Sequence, residues 1–331
     1  MSSEQIAFIV ISGIALILIL LPLPWHWSAR NYGTLLYIGW AFSGTLMYFI
    51  NAIVWTGNLK NPAPVWCDIS AKLAMGLGVA LPAVSLCINR RLFNIATMKI
   101  VELSPRQRLH QTLIDFGIGL GIPILVMILH YVVQGHRFDI IEDVGCVPCN
   151  HLSHCLMIPL VLIWPLLLGL VSMVYGVLAM RAFMKQRRTF STLLNSKSSN
   201  LNVSRYLRLM ALAGTDITLD LPLSSYIAYS NLRHGLAPWV SWSDTHYNFS
   251  DVNYVPKSLL QEVPGAWATL TINRWALPMA CILFFLFFGL AGESIAFYQR
   301  VIRRSIALLH LPYRSHAKLQ VTASSPQGFV K

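Results

Sequence analysis

The chain contains seven apolar runs long enough to cross a lipid bilayer, which takes roughly 20 helical residues. Lipid cannot satisfy backbone polar groups, so such runs must form helices or a closed barrel, and continuous apolar runs exclude the alternating pattern of barrel strands. The sequence therefore predicts an all-α bundle of seven transmembrane helices. The predicted spans, numbered helix 1 to helix 7 in chain order, are Gln5–Leu23, Thr34–Trp55, Val65–Asn89, Leu109–Val133, Leu156–Met180, Leu207–Ser230 and Gly265–Gly292.

Composition agrees with a membrane protein. Of 331 residues, 55% are hydrophobic and 11% are charged, whereas soluble domains carry about a quarter charged residues. The first run lacks a basic leading segment and a small-residue cleavage site, so we expect it to be retained as helix 1. We therefore divide the chain into a seven-helix domain, residues 1–292, and a short cytoplasmic tail, residues 293–331.

Basic residues predict the orientation. The formal net charge of +12 reflects an excess of basic residues. Such an excess is compatible with binding to nucleic acid, binding to a membrane surface, or basic cytoplasmic loops in a spanning protein. Most of the 25 Lys and Arg residues fall in loops 1, 3 and 5 and in the tail, which are all on one side of the bundle. The positive-inside rule makes that side the cytoplasm and removes the need for nucleic acid. The N-terminus of this multi-pass protein is then outside and the tail is inside.

The outer loop between helices 4 and 5 contains the stretch "GCVPCNHLSHC", residues 145–155. Its cysteines and histidines resemble a metal site, but their spacing is too compressed for the usual zinc finger. In the oxidising exterior, cysteines usually form disulfides. We expect a bridge from Cys67, at the outer end of helix 3, to Cys146, with Cys149 as the competing partner, and no metal.

Two glycosylation sequons lie on opposite sides of the predicted bundle. The sequon at Asn248 falls in outer loop 6, where a glycan can be attached. The sequon at Asn202 falls in cytoplasmic loop 5, where it cannot.

Charged residues within the spans are costly and therefore informative. Lys72, Asp216, Asp220 and Arg274 are all predicted to reach the outer half of the bundle. The two aspartates are four residues apart, so they share a face of helix 6, just before Pro222. They and the two cations form either a static salt-bridge network or the floor of a ligand pocket that re-pairs on binding.

The inner side offers a second candidate site. Asp115 in helix 4 lies at a depth not far from that of Arg90 and Arg91, which suits either an inactive-state latch or capping of a polar neighbour. Loop 5 is strongly basic, which is either a topology signal or a docking surface for an acidic partner or anionic membrane lipid. Residues 293–310 predict an amphipathic helix at the interface.

Enzyme motifs are absent from the sequence. It has no Walker motif, dinucleotide-binding turn, His-Glu-x-x-His or Gly-x-Ser-x-Gly, so we expect neither an enzyme nor a cofactor. The helix 6 carboxylates would also suit a seven-span transporter or intramembrane enzyme that uses them for protons or a metal, and this stays as an alternative function.

Four stretches of the sequence carry a resemblance to a known family. They are "LPLPWHWSARNYGTLLYIGW", "NPAPVWCDISAKLAMGLGVALPAVSLCINRRLFNIA", "SRYLRLMALAGTD" with the following "LPLSSY", and "RWALP" with "FFLFFGLAGESIAFY". They resemble the fungal mating-pheromone receptors of the lipopeptide (a-factor) type, which are class D G-protein-coupled receptors. One departure is Asp251, where a basic residue would be expected.

The resemblance implies a multi-pass receptor of the plasma membrane for a farnesylated, carboxyl-methylated peptide pheromone, and this receptor activates a heterotrimeric G protein. It leaves the oligomeric state open, a homodimer included. We expect the lipid in an apolar groove between helices and the peptide in the charged outer pocket. The predicted ligand-binding residues are Trp66, Asp68, Lys72, Asp216, Asp220, Tyr226, Trp267 and Arg274. The residues predicted to couple to the G protein are Asn89, Arg90, Arg91, Arg205 and Arg208.

Overall fold

The computed structural model describes residues 1–97, 104–149, 156–190, 197–232 and 238–308. Seven long helices form the bundle, and they keep the numbers of the predicted spans. Their bounds are Ser3–Leu20, Tyr32–Val54, Pro64–Thr97, Pro105–Phe116 continued by Ile122–Val133, Ile163–Phe190, Lys197–Leu232 and Ala266–Phe284. The shorter elements are the helices Leu23–Ser28, Trp242–Thr245 and Lys257–Glu262, the π-helical turns Gly117–Gly121, Ile158–Leu162 and Phe285–Gly289, and helix 8, Gly292–Leu308.

The predicted helical bundle is confirmed. Among the described residues, helices 1 to 5 and helix 7 are each long and apolar enough to span a membrane. Helix 6 has 36 residues but is more polar, because it contains two aspartates and many Ser, Thr and Asn side chains. Helix 3 continues eight residues beyond its predicted end at Asn89, to Thr97. Helix 8 lies where the amphipathic helix was predicted.

Helix 3 forms the centre of the bundle. Its most apolar segment is 67% buried, against 28% or less for helices 1, 4, 5 and 7, and it packs against helices 2, 4, 5 and 6. Close approach to helix 2 depends on Gly44, where an added Cβ would lie 2.7 Å from a methyl carbon of Leu77. Tyr37 stacks on Phe284 at 5.4 Å between ring centres, which joins helix 2 to helix 7.

The π-helical turn in helix 4 follows from the position of a proline. Pro123 has no N–H, so it cannot donate to the carbonyl of Gly119 four residues earlier. The indole N–H of Trp40 donates to that carbonyl instead, at 2.8 Å. A backbone acceptor in the membrane is thereby satisfied by a side chain of helix 2.

A small sheet covers the outer end of the bundle, and its strand order is β2-β1-β3. Strand β1, Phe138–Ile141, pairs antiparallel with β2, Gly145–Val147, and both lie in loop 4. Strand β3, Val252–Val255 of loop 6, pairs with β1 in parallel. The sequence analysis did not predict this sheet.

The predicted disulfide between Cys67 and Cys146 is confirmed, with 5.1 Å between the Cα atoms. It attaches β2 to the outer end of helix 3. Residue 145 must be glycine there, because its φ is +91° and a Cβ would lie 2.7 Å from that of Asn51. We call the β1–β2 hairpin with its Asp143 turn, residues 138–148, the roof of the bundle.

Candidate functional site

A cavity of about 390 Å³ lies beneath the roof, within the range of sites for small ligands. Helices 3, 5, 6 and 7 form its walls, together with Tyr48 of helix 2. Val144, Val147 and Pro148 of the roof close it from the outside. Most of its described lining is apolar, which suits a lipid group. We call this cavity the lipid chamber.

Asp143 fixes the roof to four other parts of the molecule. Its backbone carbonyl accepts hydrogen bonds from Gln5 Nε2 at 3.0 Å and from Arg274 at 2.6 Å. Its carboxylate accepts from the Gly57 backbone N–H at 3.0 Å and from Lys257 Nζ at 2.9 Å. Asp143 therefore joins the roof to helices 1 and 7 and to outer loops 2 and 6.

Electrostatics favour the ionised form of Asp143. Burial alone would raise the pKa of this carboxyl group, but the hydrogen bonds from Lys257 and Gly57, with the charges of Lys257 and Arg274, hold the pKa below its ordinary value. Lys257 also lies over the Trp267 ring, 4.7 Å from its centre. Trp267, a predicted ligand residue, thus contacts the cation that anchors the roof.

Lys72 lies in a polar cluster between helices 3 and 4. Its Nζ donates to Gln134 Oε1 at 2.6 Å and lies 3.2 Å from His130 Nδ1. The other ring nitrogen of His130 lies 3.2 Å from the Cys149 carbonyl. Since only a donor can face a carbonyl, His130 carries its proton on Nε2 and accepts from Lys72 through Nδ1. Lys72 is in this way connected to the segment that follows the roof.

Arg274 is held at the boundary between helix 7 and helix 1. It is 2% exposed, lies over the ring of Phe8 at 4.2 Å, and is 3.7 Å from the carboxylate of Glu4. Lys72 and Arg274 thus have polar partners that the sequence analysis did not name. Their predicted pairing with helix 6 stays a prediction, because the side chains of Asp216 and Asp220 lie outside the described residues.

The remaining predicted ligand residues occupy the outer rim. Asp68 forms two hydrogen bonds with Arg137, at 2.9 and 2.6 Å, and this bonding raises the pKa of the guanidinium. The Trp66 indole donates to Asn51 at 2.7 Å. Tyr226 is 45% exposed on helix 6. None of these residues belongs to the described lining of the chamber.

Sequence reasoning missed three polar residues that do line the chamber: Tyr48, Ser224 and Asn273. They are uncharged and lie within apolar runs, so a search for charged residues in the spans passes over them. Arg274, the residue next to Asn273, was the only signal nearby that drew attention to this turn of helix 7.

Cys149 is a buried free thiol. Its Sγ lies 2.9 Å from His136 Nδ1, and burial raises the pKa of the thiol to about 11. Cys146 is engaged in the disulfide and is not available as a thiolate ligand. Within the described residues no three His, Cys, Asp or Glu side chains are placed to hold a metal; His151, His154 and Cys155 lie outside them.

At the inner end of the bundle, the predicted coupling residues of helix 3 are all engaged. Arg90 forms a 2.6 Å ion pair with Asp115 of helix 4. Arg91 donates to the Arg30 carbonyl at 3.0 Å and to Asn31 Oδ1 at 3.1 Å. Asn89 donates to the Ser172 hydroxyl of helix 5 at 3.0 Å. Arg208 belongs to helix 6, as does Arg205, whose side chain lies outside the described residues.

A membrane bundle of this kind, with a closed outer end over a ligand-sized chamber and arginines packed at its inner end, has the fold of a seven-transmembrane receptor. The chain belongs to the Pheromone A receptor family, whose sequence profile matches residues 7–309. It is accordingly a multi-pass protein of the plasma membrane.

Curated relatives agree with this membership. The chain is 40% identical over 316 residues to the "Pheromone B alpha 3 receptor" of Schizophyllum commune, covering 95% of this chain and 50% of the relative. It is 34% identical over 298 residues to "Pheromone receptor 1" of Ustilago hordei, covering 90% and 83%. It is 26% identical over 310 residues to the "Pheromone a factor receptor" of Saccharomyces cerevisiae, covering 91% and 62%. The chain spans about half the length of the Schizophyllum alpha receptors it matches.

Proposed function

We propose that this chain binds a farnesylated peptide pheromone and activates a heterotrimeric G protein. The observation that carries the proposal is the lipid chamber, an apolar cavity of about 390 Å³ in a member of a pheromone receptor family. An apolar cavity of this size stabilises a lipid group by removing its apolar surface from water.

The peptide part of the ligand lies outside the chamber, at the outer end of the bundle. The predicted ligand residues in this half of the bundle are Trp66, Asp68, Lys72, Tyr226, Trp267 and Arg274, and the aspartates at positions 216 and 220 of helix 6 add negative charge to it. Because Arg274 and Lys257 hold Asp143, a ligand that recruits either cation weakens the attachment of the roof. Binding is thereby linked to the arrangement of helices 1 and 7.

On the inner side, the ion pair between Arg90 and Asp115 serves as a latch for the inactive state. Both side chains are largely buried, 15% and 7% exposed, so the pair holds helix 3 against helix 4. Opening of the latch frees Arg90, which contacts the G protein together with Asn89, Arg91, Arg205 and Arg208.

A reporter assay in fungal cells that lack their own receptor tests ligand class. Each candidate peptide is supplied in a farnesylated and an unlipidated form, and only the farnesylated form should give a response. Lys72→Ala and Asp220→Ala should each weaken that response at unchanged surface expression, whereas Lys60→Ala, an exposed lysine in loop 2, should not. Equal responses to both peptide forms would contradict a lipid-binding role for the chamber.

A second assay tests the inner face separately. Replacement of Arg90 and Arg91 together should abolish nucleotide exchange on the G protein while the ligand still binds. The control replaces Arg106 and Arg300, which are exposed cations at the same end of the bundle. Nucleotide exchange that persists in the Arg90 and Arg91 variant would rule out this coupling surface.

A further inference from the structure

The roof closes the direct path from the outside into the lipid chamber. Val144, Val147 and Pro148 form this closure, and the hairpin that carries them is bound covalently to helix 3 by the disulfide between Cys67 and Cys146. A farnesyl chain partitions into a bilayer, because its apolar surface thereby leaves water. The bilayer beside the bundle is therefore a source from which such a chain can approach the chamber sideways.

Helices 6 and 7 are the least closely packed pair of neighbours around the chamber. Helix 6 packs extensively against helices 3 and 5, and helix 7 packs extensively against helices 1 and 2. Within the described part of the chain, helix 6 makes few contacts with helix 7. At the inner end of the bundle, helix 6 also contacts the π-helical turn Phe285–Gly289. We call the boundary between helices 6 and 7, from this turn to their outer ends, the seam.

The seam lies between the bilayer and the chamber. At about 3.6 residues per turn, Thr269 and Ala276 lie on nearly the same edge of helix 7. This edge separates Ile272, which is 55% exposed, from Asn273, which lines the chamber. Because Thr269 and Ala276 are both small, neither fills the space between the two helices. Across the seam, Leu223 of helix 6 lines the chamber.

Tyr226 closes the outer end of the seam. It lies one turn closer to the outer end of helix 6 than Leu223 does. Its hydroxyl lies 2.9 Å from the position that a Cβ on residue 265 would take, so it packs on Gly265 at the start of helix 7. The side chain of Tyr226 is also 45% exposed, and exposed side chains change rotamer rapidly. Tyr226 can therefore leave Gly265 without any change in the core of the bundle.

From this arrangement we propose that the farnesyl chain enters the chamber from the outer leaflet through the seam, and that Tyr226 is the gate. When Tyr226 leaves Gly265, the seam opens at its outer end. The lipid then passes inward between Leu223 and Ala276, while the peptide part of the ligand stays at the outer end of the bundle. This proposal rests on the proposed function, which places the lipid in the chamber, and it adds the route and the residues that control the rate of entry.

The test measures exchange of a lipid probe between the bilayer and the chamber. The full chain is placed in lipid nanodiscs with N-dansyl-S-farnesyl-cysteine methyl ester, and energy transfer from the receptor tryptophans reports the bound probe. The equilibrium titration gives Kd, and the decay of the signal after addition of excess unlabelled N-acetyl-S-farnesyl-cysteine methyl ester gives the dissociation rate. The association rate follows from the two values.

Thr269→Trp places a large ring in the seam, at a residue outside the described chamber lining. An obstacle on the route raises the barrier for entry and exit alike, so both rates should fall at least about tenfold while Kd stays the same. Ile272→Trp is the matched control, because it adds the same ring to helix 7 on the side that faces lipid. This control should leave both rates and Kd unchanged.

Tyr226→Ala tests the gate in the opposite direction. The variant removes the contact with Gly265, so both rates should rise about three- to tenfold with little change in Kd. This measurement also carries the test if Thr269→Trp does not reach the membrane.

The outcomes separate the route from the function beneath it. Equal rates in Thr269→Trp and Ile272→Trp would overturn entry through the seam and leave the lipid chamber intact. Unchanged rates in Tyr226→Ala would overturn the gate. If the probe does not bind the wild-type chain at all, the proposed lipid site is wrong and the route with it.

Discussion

Replacement of Asp143 by Asn isolates one contact of the roof. Asn and Asp are tolerated at positive φ more readily than other side chains, so Asn suits the φ of 66° found at this position. The backbone carbonyl keeps its bonds to Gln5 and Arg274, and the amide oxygen can still accept from Gly57. What Asp143→Asn removes is the charge that faces Lys257 Nζ at 2.9 Å.

The loss of stability expected in Asp143→Asn depends on how exposed the side chains of Asp143 and Lys257 are. A hydrogen bond between charged groups contributes about 1.5–3 kcal/mol when shielded and much less at the surface. The two side chains are 22% and 14% exposed, so we expect the loss of about 1–2 kcal/mol of local stability. That corresponds to a roughly 5- to 30-fold rise in the opening of the roof.

Hydrogen exchange in nanodiscs measures this opening. Amides of strands β1, β2 and β3 should lose protection, while the inner half of helix 3 should not change. Lys257→Met removes the other partner, and the double variant should be no less protected than either single variant. Unaltered protection in Asp143→Asn, or fully additive losses in the double variant, would contradict the role given to this pair.

The same pair predicts a pH dependence. The native-state pKa of Asp143 lies below its ordinary value, so the stabilisation is complete above the unfolded value of about 3.9 and is lost as pH falls through the native value. Protection factors of the roof should therefore decrease below about pH 4 in the wild-type chain. Asp143→Asn should not show this decrease.

Three further predictions concern other parts of the fold. Gly145→Ala combines a positive φ with a Cβ clash, whereas at Gly57 φ is also positive but no atom lies within 4 Å. The Tm of Gly145→Ala should therefore lie well below that of Gly57→Ala, by an amount that corresponds to about 1–3 kcal/mol of stability. Equal Tm values would refute this prediction. Cys149, with a buried thiol and a pKa of about 11, should resist maleimide at pH 7 in intact cells, and rapid labelling would be inconsistent with its burial. Asp115→Asn breaks the ion pair with Arg90 and should raise reporter activity in the absence of ligand. Unchanged ligand-free activity in this variant would rule out the latch.

Much of the bundle could be predicted from the sequence because its cause is local. The apolar runs predict the spans, the basic loops predict the orientation, and the resulting outer positions of Cys67 and Cys146 predict the disulfide. Each of these signals lies within a short stretch of chain. The bounds were less accurate, as at the inner end of helix 3, because that end remains helical through Thr97, beyond the apolar run.

The contacts that define the site could not be predicted in this way. Arg274 contacts Gln5, 269 positions away, and the carbonyl of Asp143, 131 positions away. The parallel pairing of β1 with β3 joins two four-residue strands from different loops. No local pattern indicates such contacts, and the search for charged residues found Arg274 but not the neutral Asn273 beside it.

Photolabelling tests the central claim, a lipid chamber beneath the roof, most directly. A peptide that carries a diazirine in its farnesyl chain is bound to the receptor in nanodiscs, irradiated, and the labelled positions are mapped by mass spectrometry. We predict labels at the chamber-lining residues Leu77, Leu81 and Pro82 of helix 3 and Leu270 and Leu277 of helix 7. These labels should be lost when an excess of unmodified lipopeptide competes. Labels confined to lipid-facing side chains such as Ile128 and Ile272, unaffected by competition, would contradict the account.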